Sequence, residues 1–173
     1  MGTDINLQVQ GFRDGRWDYV TRRPFLEWGE DGFSYGDDPT ERFYLLFSVL
    51  CGARGMYDGT PAIKGRGLPG DGSVASLFHE DGGGRHHAQL LADYEGTAPF
   101  VGGNADLGDF GFTHATLAEL RALPWDNWPG VVGDGVDSLR TCAFRRWLDG
   151  PVMQSFVDEY GGEENVRVLI GFD

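Results

Sequence analysis

The alternation of apolar and polar residues predicts strands near both ends of the chain. Residues 5–10 alternate between apolar side chains and asparagine or glutamine, which is the period-two pattern of a half-buried strand. Asp14-Gly15 is a typical hairpin turn, and residues 16–20 alternate again. Residues 166–172 are rich in β-branched side chains and almost continuously apolar, which favours a central strand beside the hairpin. We therefore predict a small, mostly antiparallel sheet formed by the N-terminal hairpin and the C-terminal strand.

The strongest helical pattern covers residues 39–51. Asp38, followed directly by a proline and three residues later by Glu41, has the form of a capping box. Apolar side chains then recur on one helical face, at Phe43, Leu46, Phe47 and Leu50. Gly52 or Gly55 can end the helix, because glycine adopts the left-handed conformation at low cost. The pattern predicts a mostly buried core helix.

Further apolar periodicity predicts several other helices, separated by glycine-rich loops. The expected helices are residues 74–78, residues 88–94, a helix capped by Thr113 or Thr116 and stopped by Pro124, residues 139–148, and a helix from Pro151 to Gly161. The expected loops are residues 21–37 (with a short extended piece at 24–28), 52–72, 96–112 and 129–137. The predicted fold class is α+β, with a small sheet packed by several helices and long loops. No internal repeat or linker interrupts the pattern, so residues 1–173 are expected to form a single domain.

Composition narrows the functional classes. The 173 residues carry a formal net charge of −13, which argues against binding to a nucleic acid backbone. No apolar run approaches the ~20 residues of a membrane span, and residues 1–20 lack a signal-peptide pattern, so a cytoplasmic location is expected. Cys51 and Cys142 are expected to be free thiols. Lys64 is the only lysine among 14 cationic residues; arginine suits bidentate recognition of phosphate, although a GC-rich genome gives the same bias.

The segment Gly65-Arg66-Gly67-Leu68-Pro69-Gly70 matches the G-x-G-x-x-G pattern letter by letter. A dinucleotide site is not predicted, because no strand precedes the segment and no helix follows it immediately. Successive glycine amides can instead form an anion-binding nest, and Arg66 can add charge-assisted hydrogen bonds to a phosphate. The alternative is a plain turn that carries a solvated arginine.

The favoured hypothesis is a non-catalytic protein that sequesters a small anionic, nucleotide-like ligand. The candidate ligand-binding residues are Asp4, Arg42, Tyr44, Arg54, Tyr57, Arg66 and Gly67, with Trp125 as a further aromatic side chain. The arginines would hold the anion and the aromatic rings would stack on a base. Asp4 either forms a buried ion pair with Arg42 or Arg54, or orients a ligand-binding arginine. No catalytic residue, cofactor or metal is assigned, and homo-oligomers remain open.

A second hypothesis is a protein–protein inhibitor of a host enzyme. Carboxylates are dense between residues 27 and 41, and Asp14 and Asp18 add to them in the hairpin. Such a run is usually a solvated surface, but carboxylates spaced on a rigid surface can also bind a basic partner.

A third hypothesis is a metal-dependent hydrolase that uses Asp4 and His114. Further metal-ligand residue types are His79, Glu80, His86 and His87. Their spacing is not that of His-Glu-x-x-His, and a triple glycine separates the two pairs, so a metal site is not predicted there.

Six short motifs occur along the chain: residues 1–7, the hairpin at 14–17, the helix that carries Arg42 with Arg54 beyond it, residues 67–69, residues 116–120 and residues 171–173. Together they resemble a family of small, mostly uncharacterised phage and bacterial proteins that open with Met-Gly-Cys-Asp-Ile-His. The family's opening cysteine and histidine are Thr3 and Asn6 here, and its histidine-bearing run before the late helix is replaced by residues 108–114. The resemblance implies a phage or prophage accessory protein that acts in the host cytoplasm, with host defence as the setting.

Overall fold

The computed structural model describes residues 2–20, 24, 38–71, 73, 107 and 110–172. The helices predicted at 74–78 and 88–94, the histidines at 79–87, and all of the extended piece 24–28 except Pro24 lie outside the described residues.

A four-stranded antiparallel sheet forms the centre of the described structure. The strands are β1 (Ile5–Arg13), β2 (Arg16–Tyr19), β3 (Phe110–Thr116) and β4 (Val166–Phe172), in the order β2-β1-β4-β3. Asp14 and Gly15 join β1 to β2 with φ values of 55° and 79°, as a two-residue hairpin of the primed type requires. The predicted hairpin, the predicted central strand and the α+β class are confirmed.

In the described part of the chain, five α-helices accompany the sheet. They are α1 (Tyr44–Cys51), α2 (Leu117–Arg121), α3 (Asp134–Thr141), α4 (Ala143–Asp149) and α5 (Pro151–Tyr160), with 3₁₀ turns at Ala53–Gly55 and Glu163–Asn165. None of the helices in the described part of the chain is long and apolar enough to span a bilayer.

The two faces of the sheet differ in what covers them. The helix face carries Ile5, Leu7, Val9, Val168, Ile170 and Phe172, which join the main hydrophobic core with residues of the helices. The loop face carries Gln10, Tyr19, His114, Arg167 and Leu169. A smaller apolar cluster lies on the loop face, where Leu68 and Leu107 pack with Phe112 and Leu169. The glycine-rich segment around residue 68 therefore packs against the sheet.

The start of α1 differs from the sequence prediction. The helix begins at Tyr44, because Phe43 is extended, with φ −120° and ψ 86°. The Asp38 carboxylate accepts hydrogen bonds from the backbone N–H and the hydroxyl of Thr40, at 2.8 and 2.6 Å. The Glu41 N–H donates to the backbone carbonyl of Asp38, at 3.1 Å, and not to its side chain, so the predicted capping box between Asp38 and Glu41 is wrong. The predicted end at Gly52 is confirmed, since Gly52 has φ 75°.

Residues 110–116 also differ from the prediction. They form β3, whereas 110–112 were expected in a loop and Thr113 was a candidate helix cap. The other candidate, Thr116, is the cap: its hydroxyl accepts from the Glu119 backbone at 3.1 Å, and Glu119 accepts from the Thr116 backbone at 2.8 Å. Thr113 lies within the strand, opposite Ile170, and its hydroxyl donates to the Ile63 carbonyl.

The helix predicted at 139–148 is two helices. Cys142 is extended between them, with φ −64° and ψ 154°, and it ends α3 and precedes α4. Pro151 begins α5 and Gly161 ends it with φ 82°, both as predicted. Cys51 and Cys142 are free thiols.

Candidate functional site

Arg66 lies where the glycine-rich segment crosses β3. Its Nη1 donates to both carboxylate oxygens of Glu119, each at 3.0 Å, and to the His114 carbonyl at 3.3 Å. Glu119 is itself fixed by the cap of α2, so it holds the guanidinium in one orientation. Within the part of the chain that the structure describes, Nε and Nη2 of Arg66 have no hydrogen-bond partner. We call Arg66, Gly67, His114 and Glu119 the glycine-loop corner.

The His114 side chain also contacts the glycine-rich segment. Its Nδ1 lies 2.9 Å from the Gly67 carbonyl, and Gly65 and Gly67 reach this geometry with φ values of 80° and 67°. Burial lowers the pKa of His114; the Gly67 hydrogen bond opposes this, and the positive charges of Arg167 and Arg66 reinforce it. The ring is therefore neutral at pH 7, with its proton on Nδ1 and a lone pair on Nε2.

Arg167 forms a buried polar network beside this corner. The side chain is 7% exposed, and it donates to Gln10 Oε1, Asp71 Oδ2 and Ser73 Oγ, each at 2.8 Å. The Trp17 ring stacks on the guanidinium with 4.2 Å from Cζ to the ring centroid. Burial raises the pKa of Asp71, but the hydrogen bonds from Ser73 and Arg167 outweigh it and lower that pKa. The network fastens the end of the glycine-rich segment to the sheet.

Two buried polar atoms, one in β1 and one in β2, lie on the same face of the sheet. The Tyr19 hydroxyl and Nδ2 of Asn6 have no hydrogen-bond partner of good geometry among the described residues. Burial raises the pKa of Tyr19, and the nearby Gln10 amide and Arg167 charge oppose that rise. Tyr19 therefore stays a neutral phenol.

Asp4 and Arg42 form an ion pair at the start of β1. Arg42 donates through Nε to Asp4 Oδ1 and through Nη2 to Asp4 Oδ2, the latter at 3.0 Å. The predicted pairing of Asp4 with Arg42 is observed, but the two side chains are 47% and 51% exposed, so the pair is not buried. This pairing lowers the pKa of Asp4. Its carboxylate occupies the fork of Arg42 that a phosphate would otherwise use.

The predicted aromatic side chains serve internal contacts. Arg54 stacks on the Tyr44 ring, with Cζ 4.9 Å from the ring centroid. The Tyr57 hydroxyl donates to the Pro129 carbonyl at 2.7 Å, and Trp125 is buried with its indole N–H bonded to the Leu120 carbonyl at 2.8 Å.

The predicted residues consequently fall into separate groups. Asp4, the partner of Arg42, lies four residues before Gln8, and Gln8 lies level with His114, whose carbonyl accepts from Arg66. The two contacts are therefore separated by roughly 13 Å along the strands and by roughly 10 Å across them. One small anion cannot reach both arginines. Asp4 and His114 are also roughly 17 Å apart across β4, so the structure does not unite the pair named for a hydrolase. Among the described residues, no three His, Cys, Asp or Glu side chains gather as metal ligands.

Sequence reasoning found Arg66 and Gly67 but missed their partners. The position of Glu119 could have been predicted, since it stands three residues after Thr116 in a capping-box pattern. A buried partner of Arg167 could also have been predicted, because an arginine inside an apolar strand requires one. Asp71 had no local signal. The resemblance to the phage family stays a prediction, since no protein-family model, no curated protein and no solved structure matches this chain.

Proposed function

We propose that this protein binds a small anion of the phosphate-bearing, nucleotide-like class at the glycine-loop corner and holds it without transforming it. The observation that carries the proposal is the edge of the Arg66 guanidinium that no described residue engages. Nε and Nη2 form the planar fork that matches a phosphate or carboxylate. Glu119 takes Nη1 and so fixes the direction in which this fork points.

The charges around the corner favour a small ligand over a polyanion. Arg66 and Arg167 both act as positive charges on His114, so two cations lie within electrostatic reach of one point. Glu119 and Asp71 balance these cations. Binding would therefore depend on hydrogen-bond geometry more than on net attraction, which agrees with a chain of net charge −13.

His114 supports a ligand that carries hydroxyl or amino groups. With Nδ1 bonded to Gly67, Nε2 of the neutral ring is a hydrogen-bond acceptor. A sugar hydroxyl or a base amino group of a nucleotide can donate to it, while the phosphate takes the Arg66 fork. In this proposal His114 recognises the ligand and moves no proton.

Thermal unfolding with and without ligands tests the proposal. Cyclic and linear nucleotides, and inorganic phosphate as a minimal ligand, are added to the wild-type chain at millimolar concentration. A ligand at about 100 times its Kd stabilises the fold by about 2.7 kcal/mol, which raises Tm by roughly 5 °C or more for a chain of this size. No Tm shift with any ligand of the panel would reject the proposal.

The variant Arg66→Lys separates ligand binding from the ion pair with Glu119. Lysine keeps the positive charge but loses the fork, so the ligand-induced shift should fall strongly while the ligand-free Tm changes little. Arg16→Lys is the matched control. Arg16 lies in β2, away from the glycine-loop corner, and forms an exposed ion pair with Asp18, with 3.9 Å between Nη2 and Oδ2. An equal loss of the shift in both variants would show non-specific electrostatic binding.

The resemblance to phage proteins supplies the biological setting of this proposal. A phage-encoded protein that sequesters a nucleotide signal in the host cytoplasm would interfere with a defence response that depends on that signal. The setting predicts that ligands identified in the panel include nucleotides made by infected cells. Nucleotide extracts from infected and uninfected cells, compared by mass spectrometry after passage over the immobilised protein, would test this.

A protein–protein inhibitor is the second candidate function, and one feature of the hairpin favours it. Phe12 is 36% exposed and contacts Trp17 with 5.3 Å between ring centroids, next to the exposed carboxylates of Asp14 and Asp18. An exposed aromatic ring among carboxylates suits a basic protein surface. A stoichiometric host protein retained by the wild type and lost with Phe12→Ser would support this function. Equal retention of that host protein by the wild type and by Phe12→Ser would show that the hairpin is not the binding surface.

A further inference from the structure

A cleft of about 230 Å³ lies between the start of α1 and the junction of α3 with α4. The buried residues of its lining are apolar: Pro39, Leu46, Ala143 and Phe144. The more exposed residues of its lining are Asp38, Glu41, Arg42, Phe43, Ser138 and Cys142. The cleft thus has an apolar interior and a polar mouth. It is far larger than one water molecule and somewhat smaller than sites for drug-sized ligands, so it suits a small organic molecule.

The charges at the mouth favour a cation. Arg42 is the positively charged residue of the lining, but the Asp4 carboxylate takes its Nε and Nη2. Asp38 and Glu41 therefore set the charge of the mouth. Within the described residues, the carboxylate of Glu41 has no hydrogen-bond or ion-pair partner, and Asp38 uses only Oδ1, for Thr40.

A carboxylate without a protein partner at the mouth of an apolar cavity is available for a charge-assisted interaction with a ligand. An ammonium or guanidinium group provides that interaction, and the partly apolar surroundings strengthen the attraction relative to water. The rings of Phe43 and Phe144 offer surfaces for the apolar body of such a ligand and for cation–π contact.

We propose that this cleft is a binding site for a small organic cation, an amine or guanidine carried by an aromatic or short aliphatic body. The apolar body lies between Phe43 and Phe144, and the cationic group lies at Glu41 with Asp38 beside it. This site is independent of the proposed anion site, because it uses other residues and a ligand of opposite charge.

Three ligands of similar shape and different charge test the proposal on the full chain. The probes are 2-phenylethylammonium, neutral 2-phenylethanol and anionic 3-phenylpropionate, followed by NMR titration at pH 7. The ammonium should bind at least about tenfold more tightly than the alcohol, the effect of one charge-assisted hydrogen bond. The perturbed amides should be those of Phe43, Leu46 and Ala143.

Two isosteric variants locate the charge. Glu41→Gln should weaken ammonium binding about tenfold and leave the alcohol unaffected, since it removes only the carboxylate charge. Glu164→Gln is the matched control: Glu164 is exposed on the 3₁₀ turn before β4, and its loss should leave all three affinities unchanged. Because the Glu41 side chain has no partner among the described residues, the fold should survive this change, which an unchanged Tm would verify.

Several results would overturn this proposal. Tighter binding of the phenylpropionate would assign the cleft to Arg42 and an anion. Equal affinities of ammonium and alcohol would leave a purely apolar cleft, and equal weakening by both glutamine variants would indicate general attraction to an acidic protein. No binding of the ammonium probe at about 10 mM would also overturn the proposal, because this concentration lies far above the Kd of a specific site. None of these outcomes affects the proposal for Arg66, which is tested with phosphates.

Discussion

The Gly67 carbonyl oxygen lies 2.9 Å from Nδ1 of His114, and this contact fixes the tautomer of the histidine. A carbonyl oxygen only accepts, so the Nδ1 proton is retained while Nε2 stays available. Burial makes the charged imidazolium unfavourable in this position, and the neighbouring guanidinium groups of Arg167 and Arg66 add to that effect. In the folded protein the ring is therefore kept neutral, and a proton would be added at Nε2.

We predict that His114 makes the protein less stable as the pH falls from 7.5 to 5.5. The pKa of His114 is lowered in the folded state, so the unfolded chain, with an ordinary pKa of about 6.5, takes up the proton first and unfolding is favoured. His114→Asn keeps an N–H donor for Gly67 and cannot titrate in this range. Urea unfolding at pH 7.5, 6.5 and 5.5 should show a smaller loss of unfolding free energy in the variant. Parallel curves for the two proteins would contradict the assignment, and the remaining histidines cancel in this comparison.

We expect Arg42→Ala to have little effect on stability and none on anion binding. The pair with Asp4 is about half exposed, and pairs of this kind contribute under about 1 kcal/mol. If the anion site lies at Arg66, the Tm shift produced by the ligand is unchanged in this variant. Calorimetric titration of Arg66→Lys and Arg42→Ala with the same ligand measures the affinity of each variant. A loss of affinity confined to Arg42→Ala would place the anion site at the start of α1.

The sheet was predictable where a local pattern determined the structure. The β1–β2 hairpin follows from alternation around Asp14-Gly15, and β4 follows from its β-branched run. The start of α1 was not predictable in the same way, because the spacing of Asp38 and Glu41 that suits a capping box also suits a turn. In this turn Asp38 Oδ1 accepts from Thr40 and the Asp38 carbonyl accepts from the Glu41 N–H. Cys142 gives no sequence sign that the chain becomes extended there.

The candidate site was predictable only in part, for a similar reason. Glycine content and Arg66 identified the segment, but the function of an arginine depends on which carboxylate reaches it. Glu119 lies 53 residues from Arg66 in sequence, and Asp71 lies 96 residues from Arg167. Such pairings are set by the order of the strands, which spacing along the chain does not reveal. The fold likewise brings Asp4 to Arg42, 38 residues along the chain. This ion pair separates Arg42 from the other arginines of the predicted site.

Gly171 should tolerate no side chain. A Cβ at this position in β4 would overlap the Leu107 carbonyl oxygen, which is backbone and cannot rotate away. We expect Gly171→Ala to cost about 3 kcal/mol or more, because overpacking forces the backbone of either segment to move. Gly70→Ala is the control: no atom lies within 4 Å of its Cβ position and its φ is not positive, so its effect should lie between zero and about 1 kcal/mol of stabilisation. Urea unfolding of both variants measures the difference, and equal stabilities would contradict the close approach of residue 107 to β4.

The buried network of Arg167 should depend on Asp71. Asp71→Asn keeps the shape of the side chain and removes the charge that balances a guanidinium of 7% exposure. We expect a loss of about 2 kcal/mol at pH 7, below the full cost of breaking a buried pair because Asp71 itself is 38% exposed. Asp18→Asn, in the exposed pair with Arg16, should cost under about 1 kcal/mol.

The pH dependence of the same variant gives an independent check. The folded-state pKa of Asp71 is lowered, so its contribution is present above the ordinary pKa of about 3.9 and is lost as the pH falls through the lower folded value. The difference in unfolding free energy between wild type and Asp71→Asn should therefore shrink as the pH falls below about 4. A difference that stays constant from pH 7 to pH 3 would show that the asparagine acts through altered packing, and that the charge of Asp71 does not hold the glycine-rich segment on the sheet.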